Sequence, residues 1–453
     1  MPRARLLRVQ AWPRLTRRGG TLLVVGVLLL VLSLWFDLRD ILLLAFVGIA
    51  MPLAALAFVA LQAPRVAVQR AFEPPVVPAG AWATVRLVVQ NRSRRTFDGA
   101  RWRDTVQAGL AAPAEAILPA LGRWEGALPS GDDTVRLEYR LRTPRRGVYA
   151  VGPLRIGTAD PFGLARIARV VGNAHDLVVT PRVTELDATV GSVASIDGSL
   201  HGLQRRTHPN SDELIAREYR YGDPLRRVNW AATARRGELM VREEEQRGDP
   251  EARLLVDTTL SGRAAQAQAR REPGDPPDLR FELGIEIAAS VGVHLLEHGF
   301  RLRCDPLHAP ASIAGQLGAG EVYRSPGGEH AFLEDLARLE TPGRGRAHRD
   351  RERDQAAELI APRSREARMP GIAVLIDPDV VEAHALVALR PTLEPAIAFV
   401  TESVSPTVIE LLEESDWRIV TVRRPNEIAS AWTSAWRDAR GGAAQRSGAG
   451  RAR

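Results

Sequence analysis

Lysine is absent from the 453 residues: all 61 side chains counted as Lys or Arg are Arg. That excludes a P-loop nucleotide site, whose phosphate-binding lysine has no counterpart here. It also excludes Schiff-base catalysis by lysine, pyridoxal phosphate attachment included. Cysteine occurs once, at Cys304, so an intrachain disulfide, a cysteine zinc cluster and a CxxC redox pair are all ruled out. The lone thiol reads as a small buried hydrophobe near a strand end. Aromatic residues make up only 5%, too few for the stacking platform of a single-strand nucleic-acid binder. The formal net charge is +7, and a basic balance suits an anionic membrane surface or nucleic acid. The arginines are scattered along the chain rather than clustered, so a nucleic-acid partner is not expected. The length corresponds to about two or three domains.

Long apolar runs are confined to the N-terminus. Residues 21–36 carry no charge, 37–40 read Asp-Leu-Arg-Asp, and 41–61 are again uncharged. A spanning helix needs about 20 residues, so residues 21–61 are expected to form a transmembrane helical hairpin with a short polar tip. A cleaved leader is the rival reading. The second run, which follows at once, and the lack of a small-residue cleavage site favour the hairpin. Arg3, Arg5, Arg8, Arg14, Arg17 and Arg18 lie in the basic segment 1–20, and Arg65 and Arg70 follow the second run. The positive-inside rule then places both ends in the cytoplasm. The expectation is a multi-pass cell-membrane protein in contact with lipid, with its soluble domains cytoplasmic. Trp12 and Trp35 are candidate interfacial anchors, and Pro52 is expected to kink the second helix.

Residues 66–181 change character. Stretches such as 83–90 and 134–142 alternate apolar and polar residues, with Pro and Gly between them. Short strands at this spacing predict a small antiparallel β-sandwich. Residues 111–118 alone carry a helix-like pattern.

Residues 182–250 combine a small, polar linker with a distinctive segment, Ser211 to Glu245. Within it Arg217, Glu218, Tyr219, Gly222, Asp223, Arg226, Asn229, Trp230 and Arg235 are closely spaced. Arginine–carboxylate pairing is geometrically specific, so the segment reads either as a polar network that docks a partner or as an internal ion-pair lattice. Trp230 is expected to be buried, and its loss to cost about 3–5 kcal/mol.

Residues 251–437 alternate buried strands with helices, which predicts a parallel, doubly wound α/β sheet. Ligands of such sheets sit beyond the carboxyl ends of the strands. There Asp257, Thr259 and Ser261 form a D-x-T-x-S loop, and Asp377 ends another strand. Hard oxygen donors of this kind suit Mg²⁺, although a turn with a helix cap needs the same residues. Asp257→Ala is expected to leave the fold intact. His294, Glu297 and His298 match the H-x-x-E-H pattern of a metal-dependent hydrolase, but histidines also favour a helix C-terminus, and a third ligand is not evident. Residues 263–277, 343–369 and the tail 438–453 have compositions expected of disorder.

The helix pair, the run Arg145-Arg-Gly-Val-Tyr149, the run Asp160-Pro-Phe-Gly-Leu164, Arg217-Glu-Tyr-Arg-Tyr-Gly-Asp223 and Val228-Asn-Trp230 occur in this order. Together they resemble the family of unknown function number 58 (DUF 58). The resemblance implies a membrane-anchored protein with a von Willebrand factor A-like domain, often encoded beside a MoxR-type AAA+ ATPase and a transglutaminase-like membrane protein. It implies a binding role with that ATPase, in envelope maintenance or protein-complex maturation, and no enzymatic activity. In the family frame Asp257, Thr259 and Ser261 match the first part of the metal-ion-dependent adhesion site. Thr259 stands where Ser is more usual, and Asp377 is followed by Pro378 rather than Gly.

Overall fold

The computed structural model describes residues 12–62, 65–126, 131–187, 216–219, 228, 230–242, 250–258, 260, 278–307, 322–339 and 369–436. The chain divides into two compact units, Met1–Thr180 and Pro181–Arg453.

In the first unit the apolar runs form helices α1 (Arg17–Phe36) and α2 (Arg39–Leu61), each long and apolar enough to cross a membrane. The Thr16 side chain caps α1 by accepting the Gly19 N–H. Asp37, in the left-handed region (φ 47°), reverses the chain. The helices begin earlier than the apolar runs, taking in Arg17, Arg18, Arg39 and Asp40. Pro52 lies inside α2, buried. Two glycines set the spacing of the pair: a Cβ on Gly26 would fall 2.7 Å from the carbonyl carbon of Gly48. Outward side chains such as Leu28 and Phe46 are exposed.

The rest of this unit is two sheets. The strands are β1 (Arg14–Leu15), β2 (Val66–Glu73), β3 (Val76–Pro78), β4 (Trp82–Asn91), β5 (Arg101–Val106), β6 (Ala116–Ile117), β7 (Thr134–Arg142), β8 (Gly147–Ala159), β9 (Ala165–Val171) and β10 (His175–Thr180). β2, β4 and β7 make an antiparallel sheet. The others make the second, which is antiparallel except where β3 runs parallel to β10. Alternation along β4 buries Ala83, Val85, Leu87 and Val89. These meet Val151, Leu154 and Ile156 of β8 from the facing sheet. The helix-like pattern at 111–118 does not become a helix: Ala116 and Ile117 pair with β5, because strand pairing supplies the backbone partners that one isolated helical turn would lack.

A buried charge cluster joins the two sheets. Arg70 of β2 donates to both carboxylate oxygens of Asp104 on β5, at 3.1 and 2.7 Å. Tyr139 of β7 donates to Asp104 Oδ2 at 2.7 Å. Burial, together with the nearby Asp104 charge, pushes the Tyr139 hydroxyl above its ordinary range. Sequence alternation identified the strands but not this contact, since its members lie on three strands far apart in the chain.

The helix pair and the sheets share one small core of Ala55, Val59, Leu164, Ala165 and Ile167. β1 pairs with β9, placing Arg14 opposite Arg166. Arg169 donates to the carbonyls of Val59 (3.3 Å) and Ala60 (2.8 Å) at the end of α2.

The second unit opens with a two-stranded ribbon of β11 (Ala216–Glu218) and β12 (Met240–Arg242), enclosing helix α3 (Trp230–Arg236). Its main sheet contains β13 (Glu251–Val256), β14 (Arg301–Pro306), β15 (Val322–Tyr323), β16 (Met369–Leu375), β17 (Leu393–Val400) and β18 (Arg418–Thr421), in the order β15-β14-β13-β16-β17-β18. All neighbours are parallel except β14 and β15. Helices α4 (Leu279–Glu297), α5 (Gly328–Arg338) and the helix over 428–436 cover one face, through Phe281, Ile287, Leu295, Phe332 and Trp432. Helices α6 (Val380–Leu389) and α7 (Pro406–Glu414) cover the other through Leu386 and Leu412. This is the expected doubly wound layering. Sequence periodicity did not mark α6; its start is set by a capping box between Asp379 and Glu382.

Candidate functional site

The carboxyl edge of the central strands gathers polar side chains where the sheet topology places a ligand crevice. Asp257 follows β13 directly and is fully buried. Its Oδ2 accepts the backbone N–H groups of Ile376 (3.0 Å) and Asp377 (2.8 Å), just past β16. The carbonyl of Ile376 accepts from Thr401 Oγ1 (2.8 Å) and Ser403 Oγ (2.6 Å), beyond β17. Three adjacent strand ends are thus laced together. The expectation that the fold is indifferent to Asp257 because it lies at a strand end is corrected: the residue is fully buried and satisfies donors of the neighbouring strand.

Beside this edge Asp278 caps α4, accepting from the Arg280 N–H at 2.9 Å and from its guanidinium at 3.1 and 2.9 Å. Burial pushes the Asp278 carboxyl up, but the Arg280 hydrogen bonds outweigh it and hold it below the ordinary value. Arg280 is raised, chiefly by the hydrogen bond to Asp278, with the Asp377 charge adding to it.

A divalent cation wants several oxygen ligands of net negative charge. Of the residues expected to hold one, Thr259 and Ser261 lie outside the described residues. Asp257 has one oxygen committed to backbone N–H groups, and Asp377 sits in the field of Arg280. Among the described residues no group of three or more His, Cys, Asp or Glu side chains is placed to hold a metal. What the described residues form at this edge is a clasp between strands.

The H-x-x-E-H residues fall on α4 and its C-cap. His294 is buried, with its ring 4.1 Å from that of His298 and 5.0 Å edge-on from that of Trp432. Glu297 is exposed. The pattern packs the end of α4 against the helix over 428–436.

The signature segment is described in part. Arg217 and Glu218 lie in β11, where their backbone pairs with Val241 and Met240. Tyr219 donates its N–H to the Leu239 carbonyl at 2.8 Å. Gly222, Asp223, Arg226 and Asn229 lie outside the described residues, and with them most of the expected polar network. Val228 and Met240 are buried. Trp230 is not: it is 69% exposed at the start of α3, with Leu239 42% exposed and Arg235 also exposed. The expectation of a buried ring is overturned: Trp230 opens α3 on an exposed position, and Val228, two residues before it, is the buried one.

Residues 215–298 match the family model described as "Protein of unknown function DUF58". The match supports the DUF58 family and covers the signature ribbon, β13, Asp257 and α4. No match is found among the curated proteins. Among solved structures, the CARDB domain of a Pyrococcus furiosus protein, in complex with di-metal ions, has 13% identity over 24% of this chain and 90% of that one, with a TM-score of 0.17. A Paenibacillus sp. cycloisomaltooligosaccharide glucanotransferase has 11% identity over 78% of this chain and 52% of that one, with a TM-score of 0.18. Likenesses at this level carry no argument about fold or function.

Proposed function

We propose that this chain is a membrane-anchored binding protein of the DUF58 type. In this reading α1 and α2 span the cell membrane, both chain ends lie in the cytoplasm, and the C-terminal domain is von Willebrand factor A-like. The domain docks a MoxR-type AAA+ ATPase, serves envelope maintenance or protein-complex maturation, and has no catalysis of its own.

The observation that carries the binding reading is Trp230. A large ring held outward within the family-matched segment, in which Leu239 and Arg235 are also exposed, has the composition of an interface anchor. Tryptophan and arginine dominate such anchors because they bury much area with directional polar contacts. Support for the membrane reading comes from the two apolar helices and from the arginines at their shared end.

Mild-detergent extraction of the tagged full chain from its native membranes, followed by identification of the co-purifying proteins, tests the proposal. An AAA+ ATPase retained by the parent chain and lost with Trp230→Ala supports it. Equal retention by both chains removes Trp230 as the anchor, and no AAA+ ATPase in either removes the partner.

A further inference from the structure

We propose that the turn 160–164 and β9 seat the β-domain on anionic phospholipid headgroups, with the Phe162 ring entering the headgroup layer. This rests on the reading of α1 and α2 as membrane-spanning.

The first argument is depth. α1 begins at Arg17 and α2 ends at Leu61, so those ends mark one boundary of the apolar span. The β-domain does not begin beyond that boundary. Leu164, Ala165 and Ile167 pack on Ala55 and Val59, within the last turns of α2. The Leu164 carbonyl lies against Gly19 so closely that no Cβ would fit there. Gly26 touches Gly48 in the antiparallel pair, and Gly19 and Ala55 each lie about two turns from that contact, so they share a level. Arg169, further along β9, meets the carbonyls at the very end of α2. β9 therefore runs from the level of Ala55 outward to the helix end, and the turn preceding it is the deepest part of the domain.

That turn is rigid and carries its ring outward. Asp160 accepts the N–H groups of Phe162 (2.9 Å) and Ala165 (2.5 Å), Gly163 adopts φ 69°, and the Thr16 hydroxyl donates to the Gly163 carbonyl at 2.7 Å. Phe162 is 67% exposed. Segments lying at the membrane interface bury Trp, Phe and Leu side chains at the boundary of headgroups and acyl chains.

The second argument is charge. Arg14 and Arg166 stand directly opposite on β1 and β9, both exposed. Like charges in that position destabilise a strand pair, and neither has an acidic partner among the described residues. Arg17 and Arg18 add two more exposed guanidiniums at the same level. Guanidinium groups bind phosphate oxygens through paired N–H donors, and at this depth lipid phosphodiesters supply them.

The test uses the full chain in vesicles, with Cys304→Ala and one introduced cysteine carrying a fluorophore. Nitroxides sit either on lipid headgroups or deep in the acyl chains. A label at Leu28→Cys should be quenched by deep nitroxides; failure there overturns the spanning reading. With that satisfied, a label at Phe162→Cys should be quenched by headgroup nitroxides about threefold more than one at Asp98→Cys, as an interfacial position requires. Equal quenching at 162 and 98 overturns this inference and leaves the spanning reading standing. Where Phe162→Cys does not fold, the exposed neighbour Pro161→Cys is read by the same criterion. Replacing part of the phosphatidylcholine by phosphatidylglycerol should raise quenching at 162, and Arg14→Gln with Arg166→Gln should abolish the increment. Indifference to the anionic lipid overturns headgroup recognition. Displacement by millimolar inorganic phosphate overturns the lipid as its source.

Discussion

The carboxylate of Asp257 accepts the backbone N–H of Asp377 at 2.8 Å, and that of Ile376 at 3.0 Å, from the neighbouring parallel strand. Two acidic residues that look like a pair of metal ligands in sequence are thus related through one side chain and one main chain.

Asp257→Ala removes the side-chain acceptor of two N–H groups, that of Ile376 buried and that of Asp377 part-buried. Each unsatisfied group costs about 1–3 kcal/mol, so unfolding of the detergent-purified chain should shift markedly downward. Asp257→Asn keeps a carbonyl oxygen for the same donors and should fall between Ala and the parent. Millimolar Mg²⁺ should leave the parent's unfolding temperature unchanged; a clear rise would support the metal reading, because ligand bound only to the folded state stabilises it.

Arg70 and Asp104 are both inaccessible to solvent. Asp104→Ala leaves a buried, unpaired guanidinium, and breaking such a pair costs about 3–5 kcal/mol. Tyr139→Phe removes a single hydrogen bond to the same carboxylate, with an expected loss of about 1–3 kcal/mol. Urea unfolding of the two variants should rank them in that order; the reverse ranking would remove Asp104 as the centre of the cluster.

Asp278 is held below its ordinary carboxylate value in the folded chain. A depressed folded value means stability that is present above the unfolded value of 3.8 and lost as pH falls through the folded one. Asp278→Asn should therefore flatten the acid limb of the stability profile below about pH 4 while leaving its shape unchanged between pH 6 and 8. An acid limb identical to the parent's would show that the Arg280 contact does not persist in solution.

Trp230 is exposed, so Trp230→Ala should change stability by no more than about 0.5 kcal/mol, where a buried ring would cost several times that. Thermal unfolding separates the two outcomes, and capture of partner by the same variant reports the interface.

Burial, reinforced by the Asp305 and Asp335 charges, pushes the Cys304 thiol well above its ordinary value. An aromatic disulfide reagent at pH 8 should leave it unreacted until denaturant is added, because the thiolate is the reactive form. Rapid reaction with the folded chain would contradict its burial.

The sequence alone determined the elements whose pattern is local. Two uncharged runs make α1 and α2, strict alternation makes β4 and β7, and buried runs alternating with amphipathic stretches make the parallel sheet, because side-chain period is set by backbone geometry. The tertiary structure alone decided which polar groups meet. Asp257 reaches across 119 and 120 positions to its donors, Arg70 finds Asp104 on a facing sheet, and Val228, not Trp230, takes the buried place. A buried polar group must find its partner wherever packing brings one within hydrogen-bond reach, and that distance has no period in the chain.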